Sequence, residues 1–257
     1  MDSIAVPSGK KIYFASDNHL GAPNTAESLP REKKFVRWLD QIKEDAAAIF
    51  LLGDLFDFWF EYNYVVPRGF TRTLGKLAEL TDSGIPVYYF VGNHDLWMRG
   101  YFEEELNIPV FHKPQVFELN QKKFFIGHGD GLGPGDKGFK RMKKVFTSPV
   151  AQWFFRWLHP DLGVRMAQYF SVKNRLISGD EDVTFLGEEK EWLVQYAKRK
   201  LAQQHFDYFV FGHRHLPLQI DLSTTSKYVN LGDWISYYTY GVFDGVSLSL
   251  EYFEKDA

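Results

Sequence analysis

Five strand-length apolar runs in this chain each end in glycine or serine and give way at once to Asp, Asn or His. "KIYFAS" (11–16) leads into Asp17 and His19, and "AAIFLLG" (47–53) into Asp54 and Asp57. "PVYYFVG" (86–92) leads into Asn93, His94 and Asp95, "KFFIG" (123–127) into His128 and Asp130, and "YFVFG" (208–212) into His213 and His215. Runs of this length, rich in Ile, Val, Phe and Tyr and bounded by turn residues, predict strands. Helical spacing lies between some of them: Phe35, Val36, Leu39 and Ile42; Leu74, Leu77 and Leu80; and Leu193, Ala197 and Leu201. Strands alternating with helices predict an α/β domain. "VFELNQKKFFIG" (116–127) predicts a hairpin turning near Asn120 and Gln121. "KYVNLG" (227–232) and "VSLSLEYF" (246–253) predict further strands with no helix between them, so the sheet is expected to be mixed. A length of 257 residues suits one large domain, or one domain carrying an insertion.

In α/β sheets, ligands bind beyond the carboxyl ends of the strands. Here five such ends offer oxygen and nitrogen donors, a set that binds divalent ions such as Mn, Fe or Zn. His213 and His215 are two apart, so in an extended segment both project to one side. Taken alone, each motif has a plainer reading: Asp-Asn-His and Gly-Asn-His-Asp as turns, Gly-His as nothing in particular, Gly-His-Arg-His as two solvated imidazoles. All five occurring in order, each directly after an apolar run, predict a shared site. The chain has no cysteine, which excludes disulfides and thiolate zinc sites and fits a reducing compartment. A net charge of −3 gives no basic footprint for nucleic acid. The N-terminal segment lacks a basic stretch followed by a long apolar one, so no signal peptide is expected, and no apolar run has the length of a membrane span.

Asp17-x-His19, Gly53-Asp54-x-x-Asp57, Gly92-Asn93-His94-Asp95, Gly127-His128 and Gly212-His213-x-His215 resemble the five motifs of the calcineurin-like metallophosphoesterases. The resemblance implies an α/β fold: a two-sheet sandwich flanked by helices, built as a single domain over residues 1–257. It also implies two divalent metal ions per chain, manganese first, with iron or zinc as alternatives. Carried over by position, Asp17, His19, Asp54 and His215 would hold one ion, and Asp54, Asn93, His128 and His213 the other, with Asp54 bridging. His94 matches the family's non-ligand catalytic histidine, and Asp57 would orient it. The residues alone leave Asp57 equally open to a turn or helix-capping role.

"SDNHLG", "GDLFDFWFE" and "NLGDW" (230–234) resemble segments of a narrower family, the UDP-2,3-diacylglucosamine hydrolases of lipid A synthesis. That implies hydrolysis of a UDP-linked acylated sugar lipid to UMP and 2,3-diacylglucosamine 1-phosphate. It also implies a cytoplasmic enzyme lying peripherally on the inner membrane. Three positions depart from that family's pattern: His94 stands where many members have Arg, Arg214 where they often have Thr, and Leu216 where they have Arg. Residues 137–175 carry nine lysines and arginines against the single acid Asp161, interleaved with Phe and Trp. A basic amphipathic helix of this kind often lies on a membrane surface. A helical cap insertion over 137–185 is therefore expected, with Lys140, Arg141, Trp153, Phe154, Arg156, Lys173 and Arg175 meeting substrate. Its plainer reading is a helical subdomain with a solvated basic face. Two further functions stay open here: a phosphoesterase acting on another phospholipid, a nucleotide or a phosphoprotein, and a non-catalytic scaffold of the same fold.

Overall fold

The computed structural model describes residues 2–133, 137–166, 184–185 and 187–254. Two six-stranded mixed sheets stack face to face. The first runs, from edge to edge, β12 (Leu248–Tyr252), β11 (Thr239–Phe243), β2 (Lys11–Ala15), β3 (Ala46–Leu51), β4 (Val87–Phe90) and β5 (Val110–Phe111). The second runs β1 (Asp2–Ile4), β6 (Gln115–Leu119), β7 (Lys122–Ile126), β8 (Tyr208–Phe211), β10 (Ser226–Leu231) and β9 (Pro217–Ser223). Strands β2 to β5 are mutually parallel, as are β7, β8 and β10, while β11, β12 and β9 join antiparallel.

The near-continuous apolar character of the inner strands follows from burial on both faces. Alternate residues of β2 and β3 serve different layers. Ile12, Phe14, Ala48 and Phe50 enter the core between the sheets, where Phe14 stacks on Phe50 at 5.1 Å and on Phe124 of the facing sheet at 6.0 Å. Tyr13, Ala15, Ile49 and Leu51 face outward onto α1 (Thr25–Ile42), α2 (Thr71–Asp82) and α3 (Tyr101–Leu106). The other sheet's outer face, with Phe125, Phe209 and Phe211, is covered by α6 (Trp192–Leu201) through Leu193, Val194 and Ala197. The order is thus helix, sheet, sheet, helix.

The predicted hairpin is β6–β7, with Asn120 and Gln121 both at positive φ, as a two-residue I′-type turn requires. Helix α1 starts at Asn24, whose side chain accepts from Glu27 N at 3.0 Å and donates to its carboxylate at 2.6 Å. Strands β9 and β11 carry no signal strong enough to be read in advance: β9 is half-exposed, and β11 is short and interrupted by Gly241. The insertion begins with α4 (Lys137–Phe146) and α5 (Pro149–Arg156), with further helix at 160–166; Pro149 opens α5. Phe155 fixes α5 to the sandwich, 4.7 Å from the Phe60 ring and 4.8 Å from Trp97. No helix among the described residues is long and apolar enough to cross a membrane.

Candidate metal centre

The five motifs follow β2, β3, β4, β7 and β8, three neighbours in one sheet and two in the other, so their loops meet along one rim of the sandwich. Backbone bonds stitch adjacent loops together: Asp17 N to Gly53 O at 3.1 Å, His19 N to Asp54 O at 2.9 Å, and Gly212 N to His128 O at 2.9 Å. Side chains join loop to loop. His213 N donates to Asp17 Oδ2 and His94 N to Asp54 Oδ1, both at 2.8 Å, and His128 Nδ1 donates to Leu52 O at 2.7 Å.

Glycine is needed where these loops touch. A Cβ on Gly92 would lie 2.6 Å from Asp54 N, and one on Gly212 would lie 2.5 Å from Asp17 Oδ2. Five of the predicted donors, Asp17, His19, Asp54, His213 and His215, have φ between 44° and 70°. The left-handed region is unfavourable for residues with a Cβ and persists where surrounding structure over-determines it. Here it turns successive side chains toward one point.

All nine strand-end residues predicted for catalysis or metal binding lie in this rim. His19 Nε2 is 3.2 Å from His215 Nε2, and Asp17 Oδ1 lies 3.8 and 3.5 Å from these two nitrogens. His128 Nε2 is 3.3 Å from Asp54 Oδ2 and 3.1 Å from Asn93 Oδ1, while the His128 and His213 rings are 5.1 Å apart. Three sets bring ligand atoms within 4.8 Å of one another: Asp17, His19 and His215; Asp17, Asp54 and His128; and His19, Asp54 and His94. The first falls within one ligand group expected from sequence, whereas the second joins Asp54 and His128 of the other group to Asp17 of the first. Asp57 stands between two imidazoles. Its main-chain oxygen is 3.0 Å from His94 Nδ1, whereas its carboxylate lies closer to His19 Nδ1 (3.4 Å) than to His94 Nδ1 (3.7 Å). A common pattern emerges: the Nδ1 of His19, His94, His128 and His215 each faces a carbonyl or carboxylate oxygen. An oxygen at Nδ1 favours the tautomer whose Nε2 lone pair is available to a metal.

The electrostatics fit a cationic guest. Asp17 and Asp54 are 0% and 1% exposed, and a buried charge is costly unless it is compensated. Burial alone would push Asp17 up, but the imidazoles of His19, His215 and His128 outweigh it and hold the carboxyl down at about 2. Asp54 is likewise held well below the usual carboxylate range by His128 and His94, against burial. Burial also opposes charge on His128, yet Asp54 and Asp17 push it up to about 10. Burial and the neighbouring His128 hold His213 down at about 4. One imidazole of that pair therefore takes a proton that a bound dication would replace. Asp17 Oδ1 is buried and, among the described residues, accepts no hydrogen bond. An orphaned carboxylate oxygen beside two imidazole Nε2 atoms suits a first-row divalent ion.

Two carboxylates near the centre had no role assigned from the sequence. Asp95 Oδ1 accepts from Gly92 N at 2.7 Å and its Oδ2 from Leu55 N at 3.1 Å, with Tyr89 Oη donating as well. It clamps the β3 loop to the β4 loop. A Gly-x-x-Asp turn, with the side chain reaching back to the Gly N–H, is the one local signal that could have pointed to its turn role, though not to its bond with the β3 loop. Asp233, within the quoted "NLGDW", has its Oδ2 3.4 Å from His215 Nδ1, a contact spanning strands that sequence spacing does not reveal.

The insertion residues stand apart from this cluster of donors. Trp153 and Phe154 are 52% and 64% exposed, so they are not core aromatics. Lys140 and Arg141 are exposed on α4, where Lys140 Nζ donates to Gly133 O, and Arg156 is half-buried on α5. Lys173 and Arg175 lie outside the described residues. One insertion cation not singled out in advance, Lys143, does reach the strand-end loops, where its Nζ pairs with Asp130.

A family model described as calcineurin-like phosphoesterase matches residues 10–217. A Porphyromonas gingivalis protein described as UDP-2,3-diacylglucosamine hydrolase is 40% identical over 257 residues, covering 95% of this chain and 98% of its own length. A protein of a Shewanella species with the same description is 27% identical over 224 residues, covering 87% and 89%.

Proposed function

The chain belongs to the calcineurin-like phosphoesterases and is a metal-dependent phosphoesterase; from that premise we propose that it hydrolyses UDP-2,3-diacylglucosamine to UMP and 2,3-diacylglucosamine 1-phosphate. The observation that carries the reading is the 40% identity, over nearly the whole of both chains, to a relative described as that hydrolase. The strand-end cluster supplies the chemistry such a reaction needs.

In this reading Asp17, His19, Asp54 and His215 hold one divalent ion, and Asp54, Asn93, His128 and His213 the other. Manganese is our choice of ion, since mixed imidazole, carboxylate and amide donors suit it alongside iron and zinc. Bound there, such ions neutralise phosphate charge and acidify water. The chain's own groups do the rest. His94, with Nδ1 against Asp57 O, is held within the cluster by its own N–H bond to Asp54. Protonated on both nitrogens, it stabilises the charge that develops at phosphorus or protonates the leaving phosphate oxygen through Nε2. The Asp57 carboxylate steadies His19 and His94 together.

The described helices of the insertion, over 137–166, form a cap whose exposed aromatics meet acyl chains. Val150, Trp153, Phe154 and Trp157 of this segment are exposed, and Val150 lines one surface hollow with Arg141 and Lys144, an arrangement that also supports peripheral binding to a membrane of acidic lipid. Under this proposal the protein works on the cytoplasmic face of the inner membrane.

The test is comparative turnover of UDP-2,3-diacylglucosamine, bis-p-nitrophenyl phosphate and cyclic AMP by one preparation supplied with Mn²⁺. The proposal expects the UDP lipid to have the highest kcat/KM. A higher kcat/KM for either of the others would leave the phosphoesterase and remove the substrate.

A further inference from the structure

One carboxylate beside the centre has no part in the chemistry above. Asp233 follows β10, is 2% exposed, and uses its two oxygens differently. Oδ1 accepts from the main-chain N–H groups of Ile235, Ser236 and Tyr237 at 3.1, 2.8 and 3.1 Å. Oδ2 lies 3.4 Å from His215 Nδ1. On the far side of that ring, Nε2 is 3.2 Å from His19 Nε2 and 3.5 Å from Asp17 Oδ1.

We propose that Asp233 is a positioning residue, which holds the His215 proton on Nδ1 and so presents the Nε2 lone pair to the metal centre. The inference rests on the reading of His215 as a metal ligand. Its physical basis is simple. A neutral imidazole has one N–H and one lone pair, and a carboxylate only accepts. The nitrogen that faces Asp233 therefore carries the proton, and the other is left bare for a cation. Three N–H donors on Oδ1 fix the carboxylate's orientation, so Oδ2 has little freedom to turn from the ring. The turn itself is tied to the first motif, because Trp234 N donates to Asp17 O at 3.1 Å. Asp17, His215 and Asp233 are thus linked through one turn.

A carboxylate in a tight turn has a competing explanation: it caps the turn and does nothing else. Asparagine separates the two roles. In Asp233→Asn the amide oxygen still accepts from the turn N–H groups, as asparagine does at such positions. Its NH₂ group, which only donates, then faces His215 Nδ1. The neutral ring must accept at Nδ1 and carry its proton on Nε2, where a metal would need the lone pair.

The experiment uses the full chain stripped of metal, with ¹⁵N-labelled histidine, at alkaline pH. The His215 tautomer is read from two-bond ¹H–¹⁵N spectra, assigned by the signal missing in His215→Gln. Mn²⁺ titrations of wild type, Asp233→Asn, Asp233→Ala and His215→Ala accompany it, with thermal unfolding of each metal-free chain. The proposal predicts an Nδ1–H tautomer in wild type and Nε2–H in Asp233→Asn. It predicts that Asp233→Asn unfolds with wild type, and that one of its two Mn²⁺ affinities falls by about 10–100-fold, the usual effect of losing such a partner. An unchanged tautomer with two wild-type affinities in Asp233→Asn would overturn it. So would metal-free Asp233→Asn unfolding early along with Asp233→Ala, because that marks a turn cap. If His215→Ala binds two Mn²⁺ as tightly as wild type, the ligand assignment itself has failed, an outcome distinct from a failure of Asp233 alone.

Discussion

Asp54 carries more of the proposed centre than any other side chain: it stands 3.3 Å from His128 and 3.8 Å from His19, and it anchors the His94 main chain. As the shared carboxylate, its loss should remove both ions. Asp54→Ala is expected to retain less than one metal per chain by elemental analysis, with activity near background; two bound metals and wild-type turnover would remove the assignment. His94 should behave differently. His94→Ala is expected to keep its metal content while kcat falls by about 10²–10⁴-fold, the range for a lost proton donor. Loss of an ion in that variant would make His94 a ligand, which the set it forms with His19 and Asp54 makes worth checking. The primary donors were legible in the sequence because each directly follows an apolar strand that fixes where it emerges. Asp95 and Asp233 were not, because their roles depend on which loop lies across the rim. Asp57 was expected to orient His94, and it is its main-chain oxygen that stands 3.0 Å from His94 Nδ1. Its carboxylate's nearer approach to His19, 38 positions away, has no signature in spacing.

At the scale of elements, the last motif is bound to its surroundings through Arg214, which sits between two of the proposed ligands. Its guanidinium pairs with Glu191 through two contacts of 3.0 Å, and it also donates to Thr184 O at 3.1 Å. Both partners are buried, so the β8 loop, the start of α6 and the far end of the insertion are joined in one network. Arg214→Ala leaves the Glu191 carboxylate buried without its guanidinium and should cost about 3–5 kcal/mol, read from urea unfolding. A change under about 1 kcal/mol, the size of an exposed pair, would show that the network contributes little. The departure at position 214 noted in the sequence thus has a structural partner that no local pattern announces. The insertion was legible as short basic, aromatic helices divided by prolines, and helices are what the described part contains. Which aromatics anchor it was not legible: Phe155 packs on Phe60 and Trp97, while Trp153 and Phe154 beside it face solvent. One helical face went to the sandwich and the next was left outside. Because these two are exposed, Trp153→Glu and Phe154→Glu should fold normally. Each is expected to lower kcat/KM for the UDP lipid at least tenfold relative to bis-p-nitrophenyl phosphate. Equal effects on both substrates would remove the acyl-binding role of the cap.

Over the whole molecule, two stacked sheets bring five loops from distant parts of the chain to one rim, and the burial that holds the sheets together also dehydrates the site. Phe14, Phe50 and Phe124 pack directly beneath the loops that carry Asp17, Asp54 and His128. A dry, carboxylate- and imidazole-lined rim strengthens every charge interaction within it. It favours divalent cations, which once bound would in turn attract an anionic phosphate. Under the proposed function, ions bound at this rim would support attack by water on the α-phosphorus of a UDP-linked lipid. The most direct measurement is hydrolysis of UDP-2,3-diacylglucosamine in ¹⁸O-water, by chelator-stripped protein with and without added Mn²⁺, with both products weighed by mass spectrometry. Turnover is expected only with metal, with one ¹⁸O in UMP and none in the sugar phosphate. Metal-independent turnover, or ¹⁸O in 2,3-diacylglucosamine 1-phosphate, would contradict the proposed function.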